Sequence, residues 1–170
     1  MNRMHLKRWI KHLSTSRRAV RRAFPASTLT AIEAAVSKSE RTHCGEIRFA
    51  VEASLEPHAL HARKSARARA LEVFAMLGVW DTAANNGVLI YVLLADRSVE
   101  IIADRGYNEW VSPGEWAAIC VAMHRLFSEG RFEEGSIEGI RLVGELIRRH
   151  FPWEPGTRND NELPNRPAVL

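Results

Sequence analysis

The side chains best able to act together chemically fall in two short segments, Trp80-Asp81-Thr82-Ala83-Ala84-Asn85-Asn86 and Asp104-Arg105-Gly106-Tyr107-Asn108-Glu109. Both are rich in carboxylate, amide and hydroxyl oxygens, the ligands that Ca²⁺ and Mg²⁺ prefer. Carboxylates brought together repel one another, and a cation relieves that repulsion. Asp81, Asn86, Asp104 and Glu109 are therefore the candidate metal ligands, with Ca²⁺ or Mg²⁺ as the candidate cofactor. Hydrolysis of a phosphate ester would also need a cation on the phosphoryl oxygens and an activated water. Arg105 brings positive charge, but neither segment holds a histidine, so no catalytic residue is assigned. Simpler roles exist for the same residues: Asp81 and Asn86-Gly87 suit turns, and Asp104 suits a bond to a neighbouring backbone N–H.

The elements between these segments decide whether they meet. Val88 to Leu94 is apolar on both faces and reads as a central strand; Asp96-Arg97-Ser98 turns, and Val99 to Asp104 returns antiparallel. Folding about that turn puts Asp104 roughly opposite Leu89 or Ile90, and the loops Val79–Asn86 and Arg105–Val111 then share one rim. Upstream, Glu46 to Glu52 alternates polar and apolar, a strand with one wet face near a sheet edge. Ser27 to about Arg41 and Pro57 to Leu77 read as helices. Ser112-Pro113-Gly114-Glu115 is a capping box opening a helix to about Ser128, and a last helix spans about Glu133 to His150. Gly135, Gly139 and Gly144 in that helix suit close approach of a neighbour. Residues 153–170, rich in Pro, Asn, Asp and Arg, read as a flexible tail. The order is ααβαββαα, an α/β class chain folding as a three-layer α/β/α sandwich around a small mixed sheet.

The chain has 170 residues, 46% apolar and 26% charged, which suits one soluble domain and excludes a disordered or disulfide-stapled chain. Its charge is unevenly spread. Residues 1–25 hold Arg3, Lys7, Arg8, Lys11, Arg17, Arg18, Arg21 and Arg22 and no acid, so the remainder is mildly acidic. Residues 3–23 read as one amphipathic helix with a Leu6, Trp9, Ile10, Leu13 stripe. Its cations suit packing with a solvated face, an anionic membrane surface, or a nucleic-acid backbone. Cys44 and Cys120 make no disulfide framework or metal spacing, which fits a reducing cytoplasm. No signal-peptide core or spanning segment is legible, so the expected location is cytoplasmic, peripheral to the inner face of the membrane where the helix docks. His58 and His61 have no third ligand beside them. Cys44 next to His43 is no catalytic dyad, and Tyr91 and Trp110 suit core or rim better than base stacking.

Phe74, Leu77-Gly78, Trp80, Thr82, Asn85-Asn86-Gly87-Val88-Leu89-Ile90, Asp96-Arg97 and Val99-Glu100-Ile101 form an ordered series that resembles the TPM domain. Asp104, Gly106, Trp116, Phe127, Gly130, Phe132, Gly135 and the closing His150-Phe151-Pro152 continue it, so the likeness covers about residues 27–152. The resemblance implies an α/β/α sandwich. It also implies a family in which some members are acid phosphatases, some bind divalent cations, and some serve photosystem repair or receptor complexes. By resemblance Asp81, Asn85 and Asn86 match the loop before the central strand, and Glu109 matches an acidic position after one inserted residue. Asp104 matches the soluble branch lacking a signal peptide. The expected organisation is a basic helix at 1–25, a TPM-like domain at 26–152 and a tail at 153–170. The leading expectation is an accessory or binding protein, with a protein partner or an anionic membrane surface at the basic helix. The alternatives are a divalent-cation-dependent acid phosphatase at the hairpin rim and nucleic-acid binding through the arm.

Overall fold

The computed structural model describes residues 3–154, 156 and 160–170; the parts of the expected N-terminal helix and tail at residues 1–2, 155 and 157–159 lie outside the described residues. Its helices are α1 (Arg3–Ser14), α2 (Arg17–Ala23), α3 (Ala26–Glu40), α4 (Pro57–His61), α5 (Ala66–Met76), α6 (Pro113–Ser128) and α7 (Phe132–His150). Its strands are β1 (Glu46–Glu52), β2 (Gly87–Leu93), β3 (Ser98–Ala103) and β4 (Ala168–Val169), with a single 3₁₀ turn at Arg105–Tyr107.

The four strands form one mixed sheet in the order β3-β2-β1-β4, with β2 antiparallel to β3 and β1 parallel to both β2 and β4. Val88, Ile90, Val92, Val99 and Ile101 face one layer, where Val20, Phe24, Ile32, Val36, Met123, Ile140 and Val143 of α2, α3, α6 and α7 bury them. Leu89, Tyr91, Leu93 and Ile102 face the other, covered by α4, α5, Leu163 and, from α1, Trp9. The architecture is the expected α/β/α sandwich. As expected, β2 is central and buried at all seven positions, and Ser112 and Glu115 form the capping box of α6.

Four elements differ from the sequence reading. The long helix from Pro57 is broken at residues 62–65, where Arg63 takes a left-handed conformation (φ 55°) and the Ser65 side chain accepts Ala68 N–H to start α5. The basic helix is likewise two helices, parted at Thr15-Ser16. The hairpin register is shifted: Leu89 pairs with Ile102, and Asp104 N–H donates to Gly87 O at 2.9 Å, because the connecting loop Leu94–Arg97 lies one residue earlier than expected, with Leu94 outside β2 and Ser98 inside β3. Most consequential, β1 lies near a sheet edge as expected, beside the two-residue β4, but its polar face is not wet.

The alternate polar residues of β1 are buried or half-buried, and each is met by protein. Glu46 Oε2 accepts Leu163 N–H at 3.0 Å, Arg48 donates to the carbonyls of Pro164 and Arg166, and Glu52 accepts from Arg69 and Tyr91. Residues 160–170, read as part of a flexible tail, therefore form a strap across β1, with Leu163 buried and Ala168–Val169 paired to Ala50–Val51. Gly139 and Gly135 let α7 close on α6, since a Cβ there would fall within 3 Å of Met123 and Phe127.

Glu40 sits under the strap, accepting Ile47 N–H at 2.9 Å, and burial pushes its carboxyl up to about 8. The folded chain thus holds a proton that the unfolded chain loses near pH 4.5, so Glu40 subtracts stability as pH climbs from about 5 to 8. Burial holds His43 down to about 4, with the opposite slope below pH 6.5. Replacing Glu40 by Gln should raise the melting temperature at pH 8 more than at pH 5. Equal effects at both pH values would refute a proton held at Glu40.

Candidate functional site

The hairpin rim is built by two loops in backbone contact. Gly106 N–H donates to Asn85 O at 3.0 Å, and a Cβ on Gly106 would collide with the same carbonyl at 2.5 Å, so the loops meet only where a side chain is missing. Asn85 reaches φ 52°, a conformation that Asn tolerates well, and its Oδ1 accepts Arg105 Nε–H at 2.9 Å. Asn86 is a clamp. Its backbone N–H donates to Thr82 Oγ1 (3.0 Å), its side-chain amide donates to Cys44 O (2.6 Å), and its carbonyl accepts Tyr107 O–H (2.8 Å). The buried Tyr107 ring stands edge-on to Trp116 and Phe151, and burial raises its hydroxyl pKa. The strap reaches this loop too, since Glu162 Oε2 accepts Ala83 N–H at 2.9 Å.

Asn86 and Asp104 are therefore brought to one rim. Asp104 Oδ1 accepts Arg105 N–H at 2.7 Å and starts the 3₁₀ turn, while Asp104 Oδ2 and Asn86 Oδ1 are buried with no hydrogen-bond partner. Asp81 and Glu109 are exposed, and their side chains join no contact with this pair. Among the described residues no group of three or more His, Cys, Asp or Glu side chains is placed to hold a metal ion. The rim thus offers one amide and one carboxylate oxygen beside the Arg105 side chain, and no hydrolytic step follows from that set.

The second candidate surface, the α1–α2 arm, lies at the opposite end of the sheet. Seven-residue strands separate the two ends by roughly 20 Å. Arg8 donates to both oxygens of Asp96 (2.7–3.2 Å) in the β2–β3 loop and to Lys64 O (2.8 Å). His12, 3% exposed, contacts Asp96 Oδ1 at 2.9 Å and accepts Leu55 N–H at Nδ1, so its neutral form carries its proton at Nε2, facing Asp96. Burial pushes the Asp96 carboxyl up, but the hydrogen bonds from Arg8 and His12 outweigh it and hold it below the usual range.

This inverts the expected face of the arm. Arg8, read as a polyanion contact, is committed to Asp96. Of the apolar stripe only Trp9 packs inward; Leu6, Ile10 and Leu13 are 45%, 57% and 70% exposed. Lys7, Lys11, Arg17, Arg18, Arg21 and Arg22 are exposed and, among the described residues, make no ion pair; the expectation for the Arg3 side chain lies outside the described residues. Sequence reasoning missed His12 and Asp96, whose pairing spans 84 positions and leaves no periodic signal.

A family model described as the TPM domain matches residues 21–146. The chain is similar to BA42 protein from the psychrophilic bacterium Bizionia argentinensis, solved by NMR: 32% identity, a TM-score of 0.73, and coverage of 86% of this chain and 95% of that one. The N-terminal domain of a protein from P. gingivalis, at 18% identity and a TM-score of 0.57 over 76% of this chain and 81% of that one, shares the fold. No curated protein matches.

Because Asp96 anchors two donors from α1, replacing it by Ala should cost about 2 kcal/mol of stability, more than an exposed pair would. Amide exchange in α1 should accelerate with it, whereas Arg18→Ala should change stability by less than about 0.5 kcal/mol. Equal losses in the two variants would remove the latch.

Proposed function

The chain belongs to the TPM domain family, and on that premise we propose that it is an accessory domain that docks on an anionic membrane surface through its α1–α2 arm. The observation that carries this reading is the arm's orientation. Its polar residues Arg8 and His12 are turned inward, and its apolar ridge of Leu6, Ile10 and Leu13 is turned out beside exposed cations that pair with no acid among the described residues. An interfacial helix needs that combination: apolar side chains to enter the acyl boundary and cations to meet lipid phosphate. Each buried side chain contributes about 1.5–3 kcal/mol, and each cation near the surface about 1 kcal/mol.

On this reading the protein works at the cytoplasmic face of a membrane as a peripheral component. Among the described residues no helix is long and apolar enough to cross a bilayer. A nucleic-acid backbone would engage the same cations but has no use for the ridge. Docking by the arm would turn the hairpin rim away from the lipid.

The test is co-sedimentation with vesicles of phosphatidylcholine alone or with roughly 30% phosphatidylserine. Pelleting should require the anionic lipid, and the triple change Leu6→Ser, Ile10→Ser, Leu13→Ser should weaken it at least tenfold without lowering the melting temperature. Equal pelleting with neutral vesicles, or an undiminished triple variant, would reject the reading.

A second reading, a weak divalent-cation site at the rim, is favoured by the two partnerless buried oxygens, Asn86 Oδ1 and Asp104 Oδ2. With few protein ligands most of the coordination would be water, so affinity should resemble that of extracellular modules, about 10⁻⁴–10⁻³ M. Calorimetric titration of Ca²⁺ should show heat that Asp104→Asn abolishes; identical isotherms would end this reading.

A further inference from the structure

The sheet has two edges, and the chain treats them differently. The β1 edge is closed by the protein's own extended strap through Ala168–Val169. The β3 edge has no strand on it among the described residues. Since Asp104 N–H points inward to Gly87 O, the alternation of an antiparallel pair turns the backbone groups of Val99, Ile101 and Ala103 outward.

These groups line a groove of about 760 Å³ between β3 and α6. Trp116 and Val121 give its far wall an apolar surface, and Val121 is 70% exposed. At the middle rung a side chain stands in for a strand: Arg67 Nη1 donates to Ile101 O at 2.5 Å. The Arg67 side chain is still 55% exposed, and the Glu100 carboxylate lies 3.8 Å away.

We propose that the β3 edge is a docking site for an extended peptide segment of a partner protein, which adds as a fifth strand and presents a carboxylate to Arg67. The backbone row selects an extended chain, because only a strand repeats donors and acceptors at that spacing. The wall of Trp116 and Val121 selects apolar residues at alternate positions. Arg67 selects the acid. In the free protein it covers Ile101 O, and an incoming carboxylate offers it a charge-assisted, bidentate bond in exchange. The strap on β1 is the intramolecular counterpart, a short extended segment held by backbone pairing and by Arg48 on its carbonyls. This inference does not depend on the reading of the arm or of the rim.

The experiment selects displayed random peptides of about twelve residues against the full chain, the length of two strands. The enriched peptide is then synthesised and titrated while backbone amide spectra are recorded. The enriched sequences should alternate apolar residues around an Asp or Glu, and the shifted amides should centre on Val99, Ile101 and Ala103. Ala103→Pro removes only an outward N–H, which edge strands tolerate, and should weaken binding at least tenfold with the spectrum otherwise retained. Arg67→Gln should weaken the acidic peptide about fivefold and leave its Gln counterpart unchanged, the signature of a direct pair. Failure to enrich any peptide, shifts centred elsewhere, or unaltered affinity in Ala103→Pro would overturn the proposal. So would self-association that Ala103→Pro abolishes, since the occupant would then be a second copy of the chain.

Discussion

A strand bearing charges at alternate positions can lie inside a sheet only if each charge finds a partner away from water. β1 meets that constraint with Glu46, Arg48 and Glu52 on one face, and the remainder of that layer follows from how they are satisfied. Glu52 takes Arg69 and Tyr91, which fixes α5 against the sheet. Glu46 and Arg48 have no such helix over them, and they draw in the strap instead. Once the strap is bound, Leu163 completes the apolar cluster under it and Ala168–Val169 closes the edge. Glu40 then loses its water, which is why burial rather than any charge partner governs its protonation.

Closing one edge leaves the molecule polar in a geometric sense. The starts of β1 and β2 carry the rim, the ends carry the arm, and β3 carries the open edge. The rim is held by backbone-to-backbone contacts through glycine and by Asn86. The arm is held differently. A few polar contacts centred on Asp96 set its rotation about its own axis, and that rotation decides whether leucine or arginine faces outward. A purely apolar docking of α1 would have hidden Leu6, Ile10 and Leu13 and offered only cations.

This difference explains what the sequence made legible. The hairpin, the capping box at Ser112 and Glu115, and the close approach at Gly135 and Gly139 are local or periodic, and each is read from residue type and spacing. The convergence of the two rim loops follows from hairpin topology, although the expected register is off by at least two positions because Leu94, assigned to the strand, is in the loop and Ser98, assigned to the turn, is in β3. The strap and the latch are neither local nor periodic. Arg48 meets Pro164 across 116 positions and His12 meets Asp96 across 84. A hydrophobic stripe shows that a helix has two faces, and only the partner shows which one is buried. The polar alternation of β1 was a usable sign, but of a face needing partners rather than of one facing water.

The residues that carry the likeness to the TPM domain are, in this structure, mostly those the backbone requires. Asn86 clamps Cys44 and Tyr107, Gly87 lies against the Val79 carbonyl, Gly106 against Asn85, and Gly135 against Phe127. A motif made of such residues transmits a fold with fidelity and says little about chemistry, because its members are spent on closing loops and layers. What distinguishes this chain chemically therefore lies where that motif is thin. The arm's outward ridge and cations belong mostly to residues before the matched segment, and the exposed Arg67 and Val121 are outside the quoted series. Around the closed scaffold the chain holds an amphipathic arm at one end and, among the described residues, an open strand edge along one side.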